Sequence, residues 1–318
     1  MGEQLTPLDL SALPLARNTH RAYAADWCSF ETWCQQNGHT ALPAEPRVVI
    51  AFAADAATRL KVSTIERRMA AIGWWHQSRG YESPTHRTVV RRALRTLRRQ
   101  RGTPPSQKDP LLGQELMTLL GALPSTLMGR RDRALLLAGF LGGFRRSELV
   151  ALNVEDLEFT DEGVVVRINR SKTDQDGRGR RLGLPAHADE RLCPRRALQQ
   201  WLSAAAISRG AIFRPIDRHG TVKTERLSGQ GVGIVLKRYA VIAGLNPTRL
   251  GAHSLRSGLV TTAARAGKPE RVIMAQTGHR SVGTLRRYIQ EAVLFQENAA
   301  EGLLQPGAGG RVERHGTW

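Results

Sequence analysis

A short polar stretch rich in proline and glycine, GTPPSQKDP at residues 102–110, constrains the fold of this chain more than any other feature. Proline and glycine interrupt regular structure, and a polar composition leaves little to bury, so such a stretch is typical of a linker. The chain of 318 residues is long enough for two domains, each with its own core. We therefore predict a first domain over residues 1–101, a linker over 102–110, a second domain over 111–305 and a disordered tail over 306–318.

The first predicted domain reads as helical. Tyr23, Trp27, Phe30 and Trp33 recur every three or four residues, which predicts the buried face of a helix. Further helices are predicted over residues 48–60 and 63–79, and a last one ends at the linker. Four or five helices fit into this domain.

The last helix before the linker is strongly basic. It holds seven arginines with no acidic residue among them, while Val90, Leu94 and Leu97 form a narrow apolar stripe. A run of charge is usually a solvated face, which is the alternative here. Like charges repel along a helix, however, and phosphate contacts would remove that cost. We therefore expect this helix to face DNA through Arg87, Arg91, Arg92, Arg95, Arg98, Arg99 and Arg101.

The composition of the whole chain points to a polyanionic partner. The 47 Lys and Arg residues exceed the 28 Asp and Glu residues, which gives a formal net charge of +19. An acidic membrane surface is the alternative to nucleic acid, but no apolar run approaches the roughly 20 residues that a membrane span needs. The three cysteines include no CxxC pair, and the N-terminus lacks the features of a signal peptide. A cytoplasmic protein, associated with the nucleoid and not with a membrane, is expected.

The second predicted domain mixes helices with a small amount of sheet. Residues 111–123 and 131–141 are predicted to be helical. The β-branched VVVRIN segment, the turn-like RSKTDQDGRGR segment and the extended RLGLP segment together predict a β-hairpin over residues 164–184. Helices are predicted again from about Arg191 to the end. The sequence thus predicts a mainly α protein with a small β-sheet.

Two of the candidate functional residues lie in the segment GGFRRSELVAL, residues 142–152. On a helix, the spacing of Arg145 and Glu148 places both on one face, so the carboxylate can orient the guanidinium. An ordinary surface ion pair is the alternative. A third candidate, Lys172, lies in the turn of the predicted hairpin, where a lysine is normally just solvated. Lysine can nevertheless give a proton to a departing oxygen, whereas arginine holds its protons too tightly to do so.

The remaining candidates lie near the end of the chain, in AHSLRSG, TGHRS and LRRYI. His253 and Arg256 are one helical turn apart, so both can face one phosphate. His279 and Tyr288 follow in that order. A single histidine is more often structural than catalytic, and the apolar neighbours of Tyr288 leave a packed core tyrosine as the alternative.

In this order, the pattern R…K…HxxR…H…Y, with GxRxSEL, HSLR, GH and a late tyrosine, resembles the tyrosine recombinase (phage integrase) family. The resemblance covers the second half of the chain. The basic helical first part and its linker are also similar to the core-binding domain of Cre- and Xer-type members. The resemblance to the family implies a helical core-binding domain and a mixed α/β catalytic domain that form a C-shaped clamp on DNA.

The resemblance also implies a role for each candidate. Tyr288 is implied as the nucleophile, Arg145, Arg256 and His279 as holding the scissile phosphate, His253 as acid/base partner, Lys172 as general acid and Glu148 as orienting residue. The implied reaction cleaves and rejoins double-stranded DNA at a specific site through a 3′-phosphotyrosine and exchanges strands between two duplexes. The implied assembly is a homotetramer, and no metal or other cofactor is implied. A phosphodiester under attack accumulates negative charge that arginines stabilise, so the chemistry of the residues agrees.

Several alternatives stay open at the level of the sequence. A type IB topoisomerase-like enzyme would share the phosphotyrosine chemistry, and a DNA-binding regulator could keep the fold without cutting. Arg146 competes with Arg145, although the GxR and RxxE spacings both select Arg145. Arg286 and Arg287 lie beside Tyr288, and His279 stands where some members of the family carry tryptophan. Residues 291–304 predict an apolar helix that packs either on its own domain or on a neighbouring protomer.

Overall fold

The computed structural model describes residues 17–102, 108–169, 179–279 and 281–292, with residues 15 and 300 in addition. The chain divides into two compact units, Met1–Ser106 and Gln107–Trp318. Part of the predicted linker, all of the predicted tail and most of the predicted helix over 291–304 lie outside the described residues. The predicted domain boundaries therefore stay predictions.

The described part of the first unit is helical. Its helices are α1 (Arg17–Gln36), α2 (Pro46–Ala57), α3 (Val62–Gln77) and α4 (Thr88–Arg101), with a 3₁₀ turn at Pro84–His86. Proline at the first position of α2 fits because its ring presets φ and its missing N–H would have no partner there. Phe30, Phe52, Ile65 and Ile72 form the centre of the core. The aromatic spacing of α1 thus predicted its buried face correctly at Trp27 and Phe30.

Helix α4 packs on this core through a narrow face. Val90 is fully buried, and Leu94 and Leu97 pack against the same cluster from a partly buried position. The arginines of α4 are exposed. The apolar stripe predicted from the sequence is therefore the packed face of α4, and the arginines form a separate, exposed cationic face.

The second unit carries the remaining helices and the sheet. The helices are α5 (Gly113–Gly121), α6 (Leu127–Leu141), α7 (Arg146–Ala151), α8 (Pro194–Ala204), α9 (Gly229–Ile242), α10 (His253–Arg265), α11 (Glu270–Thr277) and α12 (Val282–Ala292). The strands are β1 (Leu157–Thr160), β2 (Gly163–Ile168) and β3 (Arg180–Pro185).

The strands form one antiparallel sheet in the order β1-β2-β3. Val164 pairs with Leu184 and Val166 with Leu182, so the buried side chains of both strands share one face of the sheet. The predicted hairpin is present as β2 and β3. Strand β1 was not predicted from the sequence; its four residues pair with β2, but its middle positions are exposed.

The core of the second unit is built mainly by helices around the buried aromatics Trp201, Phe213 and Tyr239. The indole N–H of Trp201 donates to the carbonyl of Ile212 (2.8 Å), which satisfies the polar atom of a side chain that is otherwise apolar. Ile212 and Phe213 belong to residues 205–228, a segment without regular helices that separates α8 from α9. The expectation of continuous helices after Arg191 is wrong here, because this segment folds back on β-bridges such as Asn153 to Ala211.

The described elements confirm the predicted fold class, a mainly α protein with a small β-sheet. In the part of the chain that the structure describes, no helix has the length and apolar character that crossing a membrane requires.

Candidate active site

Arg256 lies on the first turn of α10 and is almost fully buried, with 2% of its surface exposed. Its Nη1 donates to the carbonyl oxygens of Gly143 and Thr277, both at 2.6 Å. Gly143 adopts a φ of 53°, and a Cβ there would lie 2.7 Å from Leu259 and 2.9 Å from Thr277. Only glycine therefore fits the turn that presents this carbonyl to Arg256.

Arg145 and Glu148 are in contact, but not in the way that the spacing predicted. Arg145 is the residue before α7, and Glu148 is the third residue of that helix. Glu148 reaches back to accept the backbone N–H of Arg145 (2.9 Å) and its Nη1 (2.6 Å). The expectation that both lie on one helical face is thus corrected to a helix-capping arrangement. Glu148 is buried, so its carboxylate holds the Arg145 guanidinium in one orientation. Arg146, by contrast, is exposed.

Arg180, which was not among the candidates predicted from the sequence, lies beside this pair. It is the first residue of β3, and its Nη2 is 3.4 Å from a carboxylate oxygen of Glu148. Its Nη1 donates to the carbonyl of Gln276 at 2.6 Å. Burial lowers the pKa of Arg180, the Glu148 carboxylate opposes that effect, and the positive charge of Arg145 adds to it.

The C-terminal end of α11 is the point where these arginines meet. The helix ends at Thr277, and Gly278 follows in the left-handed conformation with a φ of 66°. The last carbonyls of a helix lack partners within the helix and carry partial negative charge. Three guanidinium groups donate to them: Arg180 to Gln276 (2.6 Å), Arg256 to Thr277 (2.6 Å) and Arg145 to Gly278 (3.2 Å).

His279 follows directly after this helix end and is partly buried. The hydroxyl of Thr277 lies 2.7 Å from Nδ1 of His279 and donates to the carbonyl of Ile273, also at 2.7 Å. Because the hydroxyl has one proton, Nδ1 must be the donor in this pair, which leaves a lone pair on Nε2 of the neutral ring. Burial and the charges of Arg256 and Arg145 lower the pKa of His279 to about 4. The ring is therefore neutral at pH 7.

Tyr288 and His253 form a direct contact, with 3.0 Å between the phenol oxygen and Nε2. Tyr288 is half-buried on α12, where Leu285 and Ile289 pack with Val260 of α10. Packing around the imidazole, followed by the charges of Arg256 and Arg145, lowers the pKa of His253. The tyrosine is thus partly packed, as the alternative held, and its hydroxyl is also placed against a neutral histidine.

The structure brings together Arg145, Glu148, His253, Arg256, His279 and Tyr288. Arg145 and Arg256 both lower the pKa values of His253 and His279, which places the four groups in one positive environment. The same crowding contributes, after burial, to lowering the pKa of Arg256 to about 10. This cluster can bind an anion next to a tyrosine hydroxyl.

The remaining residues considered from the sequence are Lys172, Arg286 and Arg287. Lys172 lies outside the described residues, between the end of β2 at Ile168 and the start of β3 at Arg180. Arg286 is exposed and pairs with Glu270 (3.0 Å), and the side chain of Arg287 lies outside the described part.

The arginines expected to face DNA are all exposed. They are not entirely without carboxylates, because Glu82 pairs with Arg87 (2.7 Å) and Glu66 of α3 pairs with Arg98. The premise that no acid compensates this helix is therefore corrected. Among the described residues, the arginines of this set without an ion pair are Arg91, Arg92, Arg95, Arg99 and Arg101.

Comparisons with known proteins identify the family of the chain. Residues 110–294 match the model of the phage integrase family. An integrase/recombinase xerD homolog of Selenomonas ruminantium is 40% identical over 288 residues, which covers 89% of this chain and 84% of the relative. A putative integrase/recombinase, y4rC, of Sinorhizobium fredii is 30% identical over 276 residues, covering 82% and 76%.

Solved structures give the same fold. The XerH site-specific recombinase bound to a palindromic difH substrate has a TM-score of 0.62 at 17% identity, covering 87% of this chain and 80% of that one. The Tn1549 transposon integrase in complex with transposon right end DNA also has a TM-score of 0.62, at 15% identity over 87% of this chain and 90% of that one. The chain therefore belongs to the phage integrase family, and it is a tyrosine-type site-specific recombinase.

Proposed function

We propose that this recombinase cleaves and rejoins double-stranded DNA at a specific site through a 3′-phosphotyrosine formed at Tyr288. The observation that carries the proposal is the contact between the Tyr288 hydroxyl and Nε2 of His253 in a cluster of arginines. A phenol has an unperturbed pKa of about 10, so it needs a proton acceptor or a strongly positive site to attack at neutral pH. This cluster supplies both.

In the proposed first step, the Tyr288 oxygen forms a bond to the scissile phosphorus, and its proton passes to Nε2 of His253. The bond from phosphorus to the 5′ oxygen breaks, and that oxygen takes a proton from a general acid. Lys172, although outside the described residues, is proposed as that acid because its hairpin is anchored beside the site through Arg180. The 5′ hydroxyl of a second duplex then attacks the phosphotyrosine, and the protons return. Each step exchanges one phosphodiester bond for another, so no nucleotide or metal cofactor is required.

Arg145 and Arg256 are proposed to stabilise the charge that develops on the phosphate oxygens. Arg256 binds both of its carbonyl partners through Nη1. In the described part of the chain, this leaves Nη2 for a phosphate oxygen. Donors fixed in advance require little rearrangement during reaction and are effective in a partly buried site.

His279 is proposed to be the third phosphate contact. In the free protein its Nε2 carries a lone pair, so a hydrogen bond from this nitrogen to phosphate requires either protonation of the ring or a change of tautomer. A bound phosphate favours the charged form of an imidazole and raises its pKa. We therefore propose that His279 takes up a proton when DNA binds.

The partner and the assembly are also part of the proposal. Of two structural neighbours, XerH is described as bound to a difH substrate and the Tn1549 integrase as in complex with transposon right end DNA. The exposed cationic face of α4 supports DNA as the partner here as well. We propose that both units contact the DNA, that four protomers assemble on two duplexes, and that the protein acts in the cytoplasm at the nucleoid.

A covalent-adduct experiment tests this function. The target site is first selected from random duplexes with the purified protein, and a nicked version of it is then used to trap the phosphotyrosine. Wild-type protein is expected to form an adduct, and Tyr288→Phe to bind the site with near-normal affinity without forming one. A stable adduct in Tyr288→Phe would move the nucleophile elsewhere.

The same experiment separates the rival functions. A topoisomerase-like enzyme would relax plasmids that lack the selected site and would not need a second duplex. A silent regulator would bind the site without any adduct in the wild type. Recombinant products from two duplexes that each carry the site support strand exchange.

A further inference from the structure

Arg180 holds together parts of the candidate site that are distant in the sequence. It starts β3, and its guanidinium reaches both Glu148 of α7 and the end of α11. We propose that Arg180 is a positioning residue of the recombination reaction, which fixes Arg145 through Glu148 and fixes His279 through the end of α11. This inference rests on the proposed function.

The link to Arg145 runs through one shared carboxylate. Glu148 accepts two hydrogen bonds from Arg145, one from its backbone and one from its side chain. Its Oε2 is also 3.4 Å from Nη2 of Arg180. Arg180 therefore shares this oxygen with the backbone N–H of Arg145, and it limits how far Glu148 can turn.

The link to His279 runs through the backbone at the end of α11. The main anchor of Arg180 is the carbonyl of Gln276 at 2.6 Å. A Cβ built on Gly278 would lie 3.0 Å from both Cζ and Nε of Arg180, so the guanidinium lies directly against this residue. Gly278 connects Thr277 to His279, and it also accepts a hydrogen bond from Arg145. A shift of this backbone would move both phosphate contacts together.

Gln276 reinforces the same junction from its side chain. Its Nε2 donates to the carbonyl of Gly183 in β3 (3.0 Å) and to that of Leu141 at the end of α6 (2.8 Å). Strand β3 is thus joined to the end of α11 in both directions, by hydrogen bonds from Arg180 and from Gln276. The hairpin that carries Lys172 is fixed to the site by this junction.

The position of Arg180 is not one that stability alone would favour. Its Nε is buried and has no hydrogen-bond partner among the described residues, and Arg145 and Arg256 bring further positive charge close by. An unpaired buried donor and like charges both destabilise a fold. A residue kept in such a place is a candidate for a role in the reaction.

The test compares Arg180→Ala with Arg181→Ala. Arg181 is the next residue of β3 and points to the other side, where it is exposed and pairs with Glu158 at 3.0 Å. Each variant is assayed in the full chain for affinity to the selected site, for single-turnover cleavage of the nicked substrate as a function of pH, and for thermal unfolding. Arg180→Lys is included because it keeps the charge but cannot hold two partners with one planar group.

Arg180→Ala is expected to bind DNA within threefold of wild type and to cleave about 100-fold more slowly, because misplacement by about 1 Å costs that much. Its pH profile is expected to shift, since a positive charge near His279 has been removed. Arg181→Ala is expected to match wild type in every assay. Cleavage by Arg180→Ala within twofold of wild type would overturn the proposal.

If Arg180→Ala does not fold, the cleavage rate of Arg180→Lys tests the proposal in its place. Slow cleavage by folded Arg180→Lys supports positioning, and normal cleavage overturns it. A wild type that forms no adduct would instead remove the proposed function. In that case the NMR resonances of the His279 ring still report on positioning. If Arg180 positions His279, their chemical shifts are expected to change in Arg180→Lys and not in Arg181→Ala. Unchanged resonances in both variants would overturn the inference independently of the reaction.

Discussion

Replacement of Glu148 tests whether its carboxylate compensates the guanidinium groups around it. The carboxylate is buried, it accepts two hydrogen bonds from Arg145, and it lies next to Arg180. Glu148→Ala removes the cap of α7 and leaves two partly buried guanidinium groups without their anion. Breaking a buried pair by removing one partner costs about 3–5 kcal/mol. For a domain of this size, that corresponds to a fall in Tm of about 6–20 °C.

Glu115 supplies a matched control for the capping contribution. It is the third residue of α5, and it accepts the backbone N–H of Leu112 at 2.7 Å, as Glu148 does for Arg145. No ion pair to Glu115 is present within the described residues. Glu115→Ala is therefore expected to cost only the cap, about 1 kcal/mol. Glu148→Gln keeps an acceptor for the cap and loses the charge, so its Tm is expected to lie between those of the two alanine variants.

The assay is reversible thermal unfolding of the three full-length variants and the wild type at pH 7, together with single-turnover cleavage. The two Glu148 variants are expected to lose at least tenfold in cleavage rate, because Arg145 loses its orientation. Glu115→Ala is expected to cleave at the wild-type rate. If Glu148→Ala lowers Tm no more than Glu115→Ala does, the carboxylate acts only as a cap and the charge argument is refuted.

Three further predictions concern other groups. Burial lowers the pKa of His76, whose Nε2 accepts the N–H of Ala44 at 2.9 Å, so the unfolded chain binds a proton more readily. The first unit should lose stability as pH falls below about 6.5; hydrogen exchange of its amides measures this, and His76→Gln should lack the effect. Lys172→Ala should slow cleavage and be rescued by sulfur at the 5′ bridging position, which departs without a proton; no rescue would exclude Lys172 as the acid. Replacing Arg91 and Arg95 with alanine should reduce the slope of log K against log salt concentration by about 1.8, and an unchanged slope would place α4 away from DNA.

Periodicity and local turn chemistry predicted much of the fold, because they depend on neighbours in the sequence. The β-branched residues of β2, the turn-like segment after them and the extended residues of β3 predicted the hairpin, and the aromatic spacing of α1 predicted its buried face. Strand β1 was missed because it has only four residues and its middle positions are exposed, so its sequence carries no buried alternation. Residues 205–228 were misassigned because their apolar side chains, such as Phe213, enter the core without a regular repeat.

The candidate site shows the same division between local and distant causes. Arg145 and Glu148 were found because their contact spans three residues, and the error about the helix start left that contact intact. Arg180 gave no comparable signal, since arginines stand at 178 and 181 as well. What distinguishes Arg180 is the carbonyl of Gln276, which lies 96 positions later in the chain. A contact of this kind follows from the packed fold alone.

The end of α11 also explains how this fold can assemble arginines before any phosphate is present. Three guanidinium groups in a partly buried site repel one another and lose hydration, as the lowered pKa values of Arg180 and Arg256 show. The unpaired carbonyls of a helix C-terminus supply partial negative charge and acceptors without adding a competing anion. Glu148 supplies the one full negative charge among these contacts, and it lies beneath Arg145. The site thus stays positive towards a phosphate while its arginines are already held in place, which is the preorganisation that charge stabilisation in a transition state requires.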